Sequence, residues 1–325
     1  MAKFFGATVI AVVLTGSALA SQQPASESTA KDLAVIPSSF VQEFEVDRSD
    51  RMTVPVRING SEPYPFIVDT GAERTVIAND LARRLSLEAG PKLALATITG
   101  PATAESFVIE NLAMNTINIE MIEAPGLERS NLGAYGLLGI DSLEDHKLML
   151  DFKAQKMDVL ASPRKSRPGK VEAGMIIVNA RRKAGRMILS DASIGGMKID
   201  IILDTGAQTS MGNLALRDKM RKRDRRFEYV QVLMKSVTGD QLQGDFTQIR
   251  SITLGGVNIN DLPVTFADNY AFKALQLDRK PAILLGMDAM KLFDRILIDF
   301  TNRRVGFDLP KGAERRAPLK MAMDY

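Results

Sequence analysis

The chain has 325 residues, 45% of them hydrophobic, and a formal net charge of +3. That length fits two domains or one large one, and the apolar content is ample for a buried core. With no Cys, no Trp and one His, His146, thiol nucleophiles, disulfides and Cys-based zinc sites are excluded, and Ser-His-Asp or multi-His zinc chemistry would rest on one imidazole.

Carboxylates, Lys, Tyr and hydroxyls are what remains for hydrolysis or proton transfer. Residues 1–20 read as a secretory signal. Lys3 supplies the positive charge, Phe4 to Leu14 is short and apolar, and Ala18-Leu19-Ala20 offers a small-x-small cleavage site before Ser21. The apolar run falls short of the roughly 20 residues of a membrane span. An uncleaved anchor is the rival reading, and no Cys follows the site to carry a lipid. The mature protein is expected to be exported, to the periplasm or beyond, with no membrane span. Residues 21–39 are rich in Ser, Ala, Gln and Pro and read as a flexible leader.

Strand signals follow. Met52, Val54, Val56 and Ile58 alternate at a period of two, and Asn59-Gly60 reads as a hairpin turn. The spacing then predicts a short helix near Asn79-Asp80, carrying Leu81 and Leu85, and a second near Asn213. Short apolar runs recur at 176–178, 199–203, 252–254, 283–285 and 296–298. Two more short helices are expected after Asp141 and Asp288, each read as an N-cap. The Pro- and charge-rich stretch 161–170 reads as a linker, and 311–325 as a polar, basic tail. The class is all-β with few short helices, in blocks at 40–160 and 171–310.

The blocks repeat each other. Asp69-Thr70-Gly71-Ala72 recurs as Asp204-Thr205-Gly206-Ala207, each after an apolar run, Phe66-Ile67-Val68 and Ile201-Ile202-Leu203. An offset of 135 also aligns Arg51-Met52 with Arg186-Met187, Gly60 with Gly195, Ile67 with Ile202 and Thr75 with Ser210. Further on, Thr99-Gly100 matches Thr238-Gly239, Leu137-Leu138-Gly139-x-Asp141 matches Leu284-Leu285-Gly286-x-Asp288, and Asp151-Phe152 matches Asp299-Phe300. Growing offsets place the length differences in loops. The basic run Arg221 to Arg226 is read as the solvated end of the helix begun near Asn213 rather than a nucleic-acid patch. His146 is read as a surface residue, since the second block has no counterpart.

With these motifs in this order, each block resembles one subunit of the retropepsin-like (clan AA) aspartic peptidases. The whole resembles an exported, single-chain, bacterial-type form with two fused domains. The resemblance implies two acid-protease β-barrel lobes in an intramolecular pseudo-dimer. It implies a catalytic pair, Asp69 and Asp204, on turns supported by Thr70, Gly71, Ala72, Thr205, Gly206 and Ala207. The threonine hydroxyls would lock the turns across the lobes. Thr99, Gly100, Thr238 and Gly239 would form two flaps, and Leu138, Gly139, Leu285 and Gly286 would pack behind the turns. No metal or cofactor is implied. The partner would be an extended peptide or protein, held by a monomer, and no nucleic acid.

Two close carboxyls cannot both ionise, so they share a proton and supply acid and base together. Ala72 and Ala207 stand where pepsin-like enzymes commonly carry a hydroxyl that would hydrogen-bond the carboxylate. Without that bond the pair should titrate higher, giving an optimum at mildly acidic to near-neutral pH. The rival function is a non-catalytic peptide-binding or regulatory module on the same bilobed fold.

Overall fold

Period-two alternation becomes sheet on both sides of the chain's midpoint. The computed structural model describes residues 7–8, 13–15, 53–114, 117–165, 173–183, 185–224, 227–236 and 238–310, with backbone only at 7–8 and 13–15. The cleavage site before Ser21, the leader 21–39, residues 166–170 of the linker and the tail 311–325 lie outside the described residues, as does Met52. Within the segment read as a signal are two short strands, β1 (Ala7–Thr8) and β2 (Val13–Thr15).

Lobe 1 begins with β3 (Thr53–Ile58), in which Val54, Val56 and Ile58 are buried while the intervening residues face solvent. Asn59 and Gly60 both have positive φ, 49° and 78°, and the Ser61 N–H donates to the Ile58 carbonyl at 2.9 Å, so the predicted turn forms. It leads into β4 (Tyr64–Val68) and β5 (Val76–Ala78). Helix α1 (Asn79–Arg84) follows, burying Leu81 as expected. The long hairpin β6 (Ala89–Ala96) and β7 (Pro101–Met114) pairs on with β8 (Ile117–Leu127). After α2 (Arg129–Leu132) come β9 (Gly136–Leu138), a 3-10 turn at Ile140–Ser142, β10 (His146–Asp151) and β11 (Lys156–Ala161).

Lobe 2 repeats the plan. It opens with β12 (Ile176–Asn179), β13 (Arg181–Lys183), β14 (Arg186–Ile194), β15 (Met197–Leu203) and β16 (Met211–Gly212). Helix α3 (Leu214–Arg223) is capped by Asn213, whose side chain accepts from the Leu216 N–H at 2.9 Å. The hairpin β17 (Val230–Lys235) and β18 (Gln241–Leu254) and strand β19 (Val257–Phe266) lead to α4 (Tyr270–Ala274). The lobe closes with β20 (Ala282–Leu285), α5 (Met287–Met290), β21 (Arg295–Asp299) and β22 (Arg304–Asp308).

The repeat is visible in the strand orders, β6-β7-β3-β4-β9-β5-β8 in one sheet and β14-β15-β20-β16-β19-β18-β17 in the other. Strand β1 adds to the free edge of β6, and β2 to that of β17. A third sheet, β11-β10-β21-β22-β12, takes strands from both lobes, with Leu148 opposite Ile298. The lobes therefore share a core, with Leu148, Leu150, Ile296, Ile298 and Phe307 buried beneath this sheet. Each such side chain contributes about 1.5–3 kcal/mol on burial. The stretch read as linker starts inside this structure: Ser162 is buried and its hydroxyl donates to Asp299 at 2.7 Å. His146 is also less exposed than expected, a half-buried residue whose Nδ1 is enclosed as β10 begins. Burial lowers its imidazole below the usual range, against a smaller opposing effect of Asp145.

Candidate active site

Each Asp-Thr-Gly-Ala turn is placed by two apolar strands. Strand β4 runs parallel to β9, with Val68 beside Leu138, and the Asp69 N–H donates to the Leu138 carbonyl at 2.9 Å. Strand β15 runs parallel to β20, with Leu203 beside Leu285, and the Asp204 N–H donates to the Leu285 carbonyl at 3.1 Å. Continuous apolar runs suit strands buried on both faces. Leu138 and Leu285 thus pair with the strands that lead into the turns. Gly139 and Gly286 allow the return of the chain: a Cβ on Gly139 would lie 2.2 Å from the Arg74 backbone, and one on Gly286 2.7 Å from the Thr209 backbone.

The two turns lock together across the lobes. The Thr70 N–H donates to Thr205 Oγ1 at 3.0 Å, and the Thr205 N–H donates to Thr70 Oγ1 at 3.1 Å. Each hydroxyl then donates to the opposite strand, Thr70 to the Leu203 carbonyl at 2.8 Å and Thr205 to the Val68 carbonyl at 2.6 Å. All of these groups are buried, so their loss would strand polar atoms at about 1–3 kcal/mol each.

Asp69 and Asp204 are fully buried. Oδ1 of Asp69 accepts from the Gly71 and Ala72 N–H groups at 2.8 and 3.0 Å, and Oδ1 of Asp204 from Gly206 and Ala207 at 3.1 and 3.0 Å. Both Oδ2 atoms are buried without a protein hydrogen-bond partner. The glycines are required by the opposite carboxyl rather than by backbone angle. A Cβ on Gly71 would lie 2.5 Å from the Asp204 carboxyl, and one on Gly206 2.2 Å from that of Asp69.

Burial is the largest cause raising both carboxyls. For Asp69 the neighbouring Asp204 adds to it, and the Gly71 amide, Arg186 and the Ala72 amide oppose it, leaving the group well above the usual range. Asp204 is pushed up to about 6, with the Ala207 amide, Arg186 and the Gly206 amide opposing burial. The pair titrates as one coupled unit in which the first proton leaves and the second is held. The direction agrees with the expectation drawn from Ala72 and Ala207. Burial, rather than the absence of a hydroxyl, leads the causes.

Asp141 and Asp288 correct the sequence reading. They do not cap the short helical turns, whose N-cap residues are Gly139 and Gly286 without a side-chain bond. Asp141 instead accepts from the Thr75 amide at 2.9 Å and its hydroxyl at 2.7 Å. Asp288 accepts from the Ser210 amide at 2.9 Å and its hydroxyl at 2.7 Å. The same hydroxyls receive the Gly139 and Gly286 amides at 3.1 and 3.0 Å. Each carboxylate thus braces the end of its Asp turn against the strand behind it.

Thr99-Gly100 and Thr238-Gly239 lie at the tips of the β6–β7 and β17–β18 hairpins, where flaps were expected. The tips meet: Thr99 Oγ1 donates to Asp240 Oδ2 at 3.3 Å, and Thr238 Oγ1 to the same atom at 2.6 Å. Ile98, at the first tip, is fully buried among lobe 2 residues that include Met234, Ala271 and Phe272, and its carbonyl accepts from the Tyr270 N–H at 3.0 Å. Ile98 and Asp240 were not singled out in the sequence. An apolar residue inside a Thr- and Gly-rich turn was the available signal. Arg186 was noticed only as a repeat match, yet its Nε donates to the Gly71 carbonyl at 2.8 Å. A cation at the start of an apolar strand was its signal.

Among the described residues, no group of three or more His, Cys, Asp or Glu side chains could hold a metal ion. No helix among them is long and apolar enough to cross a membrane. No curated protein matches the chain. The family described as "gag-polyprotein putative aspartyl protease" matches residues 54–145, and that described as "Aspartyl protease" matches residues 190–289. These matches fall one in each lobe, in tandem, each covering its Asp-Thr-Gly-Ala turn, and the chain belongs to the retropepsin-like aspartyl proteases as a protein with two such domains.

Proposed function

We propose that the protein is an exported aspartic endopeptidase that cleaves extended peptide segments with a water activated by Asp69 and Asp204. The observation that carries the reading is the pair itself: two buried carboxyls, one per lobe, each with one oxygen held by two amides and one oxygen without a protein partner. The free Oδ2 positions suit a shared proton and a water. One carboxylate takes the water's proton as the oxygen attacks the scissile carbonyl. The protonated partner gives its proton to the carbonyl oxygen. The tetrahedral intermediate then collapses as the amine leaves with a proton, and no covalent enzyme intermediate forms.

Raised carboxyls, Asp204 at about 6, favour the singly protonated pair at mildly acidic to near-neutral pH. A rate profile peaking at about pH 2–3 contradicts this. The substrate would lie under the two flap tips and bond along its main chain. Export rests on the N-terminal pattern of Lys3, Phe4 to Leu14 and Ala18-Leu19-Ala20. It is tested by the N-terminal sequence of the protein recovered outside the cytoplasm.

The test of activity compares wild type with Asp69→Asn and Asp204→Asn on a denatured protein substrate. Each single variant is expected to lose about 10²–10⁴-fold or more in turnover. Equal turnover by all three removes the pair from the mechanism. No turnover by wild type leaves the peptide-binding module on the same fold.

A further inference from the structure

We propose that Arg186 is a positioning residue of the Asp69/Asp204 pair: it reaches from lobe 2 to hold the catalytic turn of lobe 1 and keeps a fixed positive charge beside both carboxyls. The proposal rests on the reading of that pair as the catalytic dyad.

Arg186 opens β14 and is among the largest fully buried side chains, 2% exposed. Burying a guanidinium charge is costly unless charge nearby offsets it. Its Nε–H donates to the Gly71 carbonyl at 2.8 Å. Gly71 is the residue whose own N–H holds Asp69 Oδ1 at 2.8 Å and whose Cβ position abuts the Asp204 carboxyl at 2.5 Å. One residue, Gly71, therefore lies between the guanidinium and both carboxyls. Its Nη2 is buried and has no protein hydrogen-bond partner.

The charges around it are acidic. Burial lowers the Arg186 guanidinium, and Glu73, Asp204 and Asp69 oppose that shift. Glu73 is itself raised by burial and lowered by Arg186 and Arg74, with Asp141 acting the other way. An arginine keeps its proton in such surroundings, so the charge is fixed across the working range of pH. On the pair the effect is reciprocal: Arg186 pulls both carboxyls down against the burial that raises them. Without it, the singly ionised state would be reached only at higher pH. The arrangement is not mirrored in charge, because Gln208 stands at the repeat position of Glu73.

A strut and a charge-setting clamp differ in what they move. The experiment measures kcat and KM against pH for wild type, Arg186→Met and Arg186→Lys on a denatured protein substrate. It also follows the Asp69 and Asp204 carboxyl carbons by NMR titration, assigned with Asp69→Asn and Asp204→Asn. In Arg186→Met both limbs of the rate profile, and both carboxyl titrations, are expected to move toward alkaline pH by about one pH unit. The kcat should fall with little change in KM. Arg186→Lys keeps the charge and loses the planar contact to Gly71, so its limbs should stay near those of wild type while kcat falls. Unmoved limbs and unmoved carboxyl titrations in Arg186→Met overturn the proposal and leave a strut. If Arg186→Met does not fold, a wild-type kcat in Arg186→Lys overturns the positioning role. A wild type that is silent on every substrate counts against the endopeptidase reading, and the carboxyl titrations still decide the effect of Arg186.

Discussion

Ala72 and Ala207 stand beside the two carboxyls, where a hydroxyl in place of either side chain would change their titration. Both are fully buried, and each presents its amide, not its side chain, to the adjacent carboxylate. Replacing both with Ser adds a hydroxyl that donates to the charged carboxylate and favours it, so each carboxyl titrates lower. The acid limb of the pH–rate profile of the double variant is expected to move toward acid by about one pH unit. Fitting the extra oxygens should lower stability by about 1–3 kcal/mol. A profile that stays in place would mean that hydroxyls at these two positions do not act on the pair. At this scale much was legible in the sequence. Asp69, Asp204 and the two threonines could be named because the motif occurs twice, and a duplicated turn has few other uses. The reason for Gly71 and Gly206 was only half legible, since the neighbour that excludes a Cβ is a carboxyl 133 or 137 residues away, Asp204 from Gly71 and Asp69 from Gly206. Arg186 was invisible as a site residue for the same reason: its partner, Gly71, lies 115 positions away.

The element that fixes each Asp turn is the strand behind it, joined to the turn by a hydroxyl and a carboxylate. Thr75→Val keeps the shape of the side chain but removes the hydroxyl shared by Asp141, Ser142 and the Gly139 amide. Asp141 then loses its closest donor and the buried Gly139 amide its acceptor, at an expected cost of about 1–3 kcal/mol in urea unfolding. Ser210→Ala should cost about the same in lobe 2, where Asp288 is left short of the same bond. An unchanged unfolding midpoint in both variants would show that these networks do not hold the turns. Elements that depend on local pattern were legible: the alternation of β3, the turn at Asn59-Gly60, the start of α1 at Asn79, and the Asn213 cap that opens α3. The reading of Asp141 and Asp288 as N-caps failed because local sequence cannot reveal a partner 66 or 78 residues distant. Thr99-Gly100 and Thr238-Gly239 could be read as hairpin turns, but what they touch could not. The docking of Ile98 in lobe 2 and the meeting of Thr99 with Asp240 are contacts between lobes, for which the sequence carries only a repeat register.

The molecule as a whole is a dimer made permanent by its own chain. A tether of this kind sets the effective concentration of the second lobe on the order of mM. The shared sheet goes further, because β10 and β11 of lobe 1 pair in one ladder with β21 and β22 of lobe 2. Asp299 lies at its heart, accepting from Ser162 and Asn302 and pairing with Arg304 at 3.1 Å. The repeated Asp-Phe motif announced these strands without revealing that they join the lobes. The threonine grip, the crossed flap contacts and Arg186 each draw one group from either lobe, so neither lobe holds a complete site. One chain should therefore carry one site, and Asp69 and Asp204 of the same chain should be its two halves. The direct measurement is turnover of a denatured protein by wild type, by Asp69→Asn, by Asp204→Asn, and by an equimolar mixture of the two variants refolded together. Wild type should be active, and both variants and their mixture should be silent, since intact halves on separate chains do not meet. Activity regained in the mixture, or wild-type turnover by either variant alone, would contradict a single intramolecular pair.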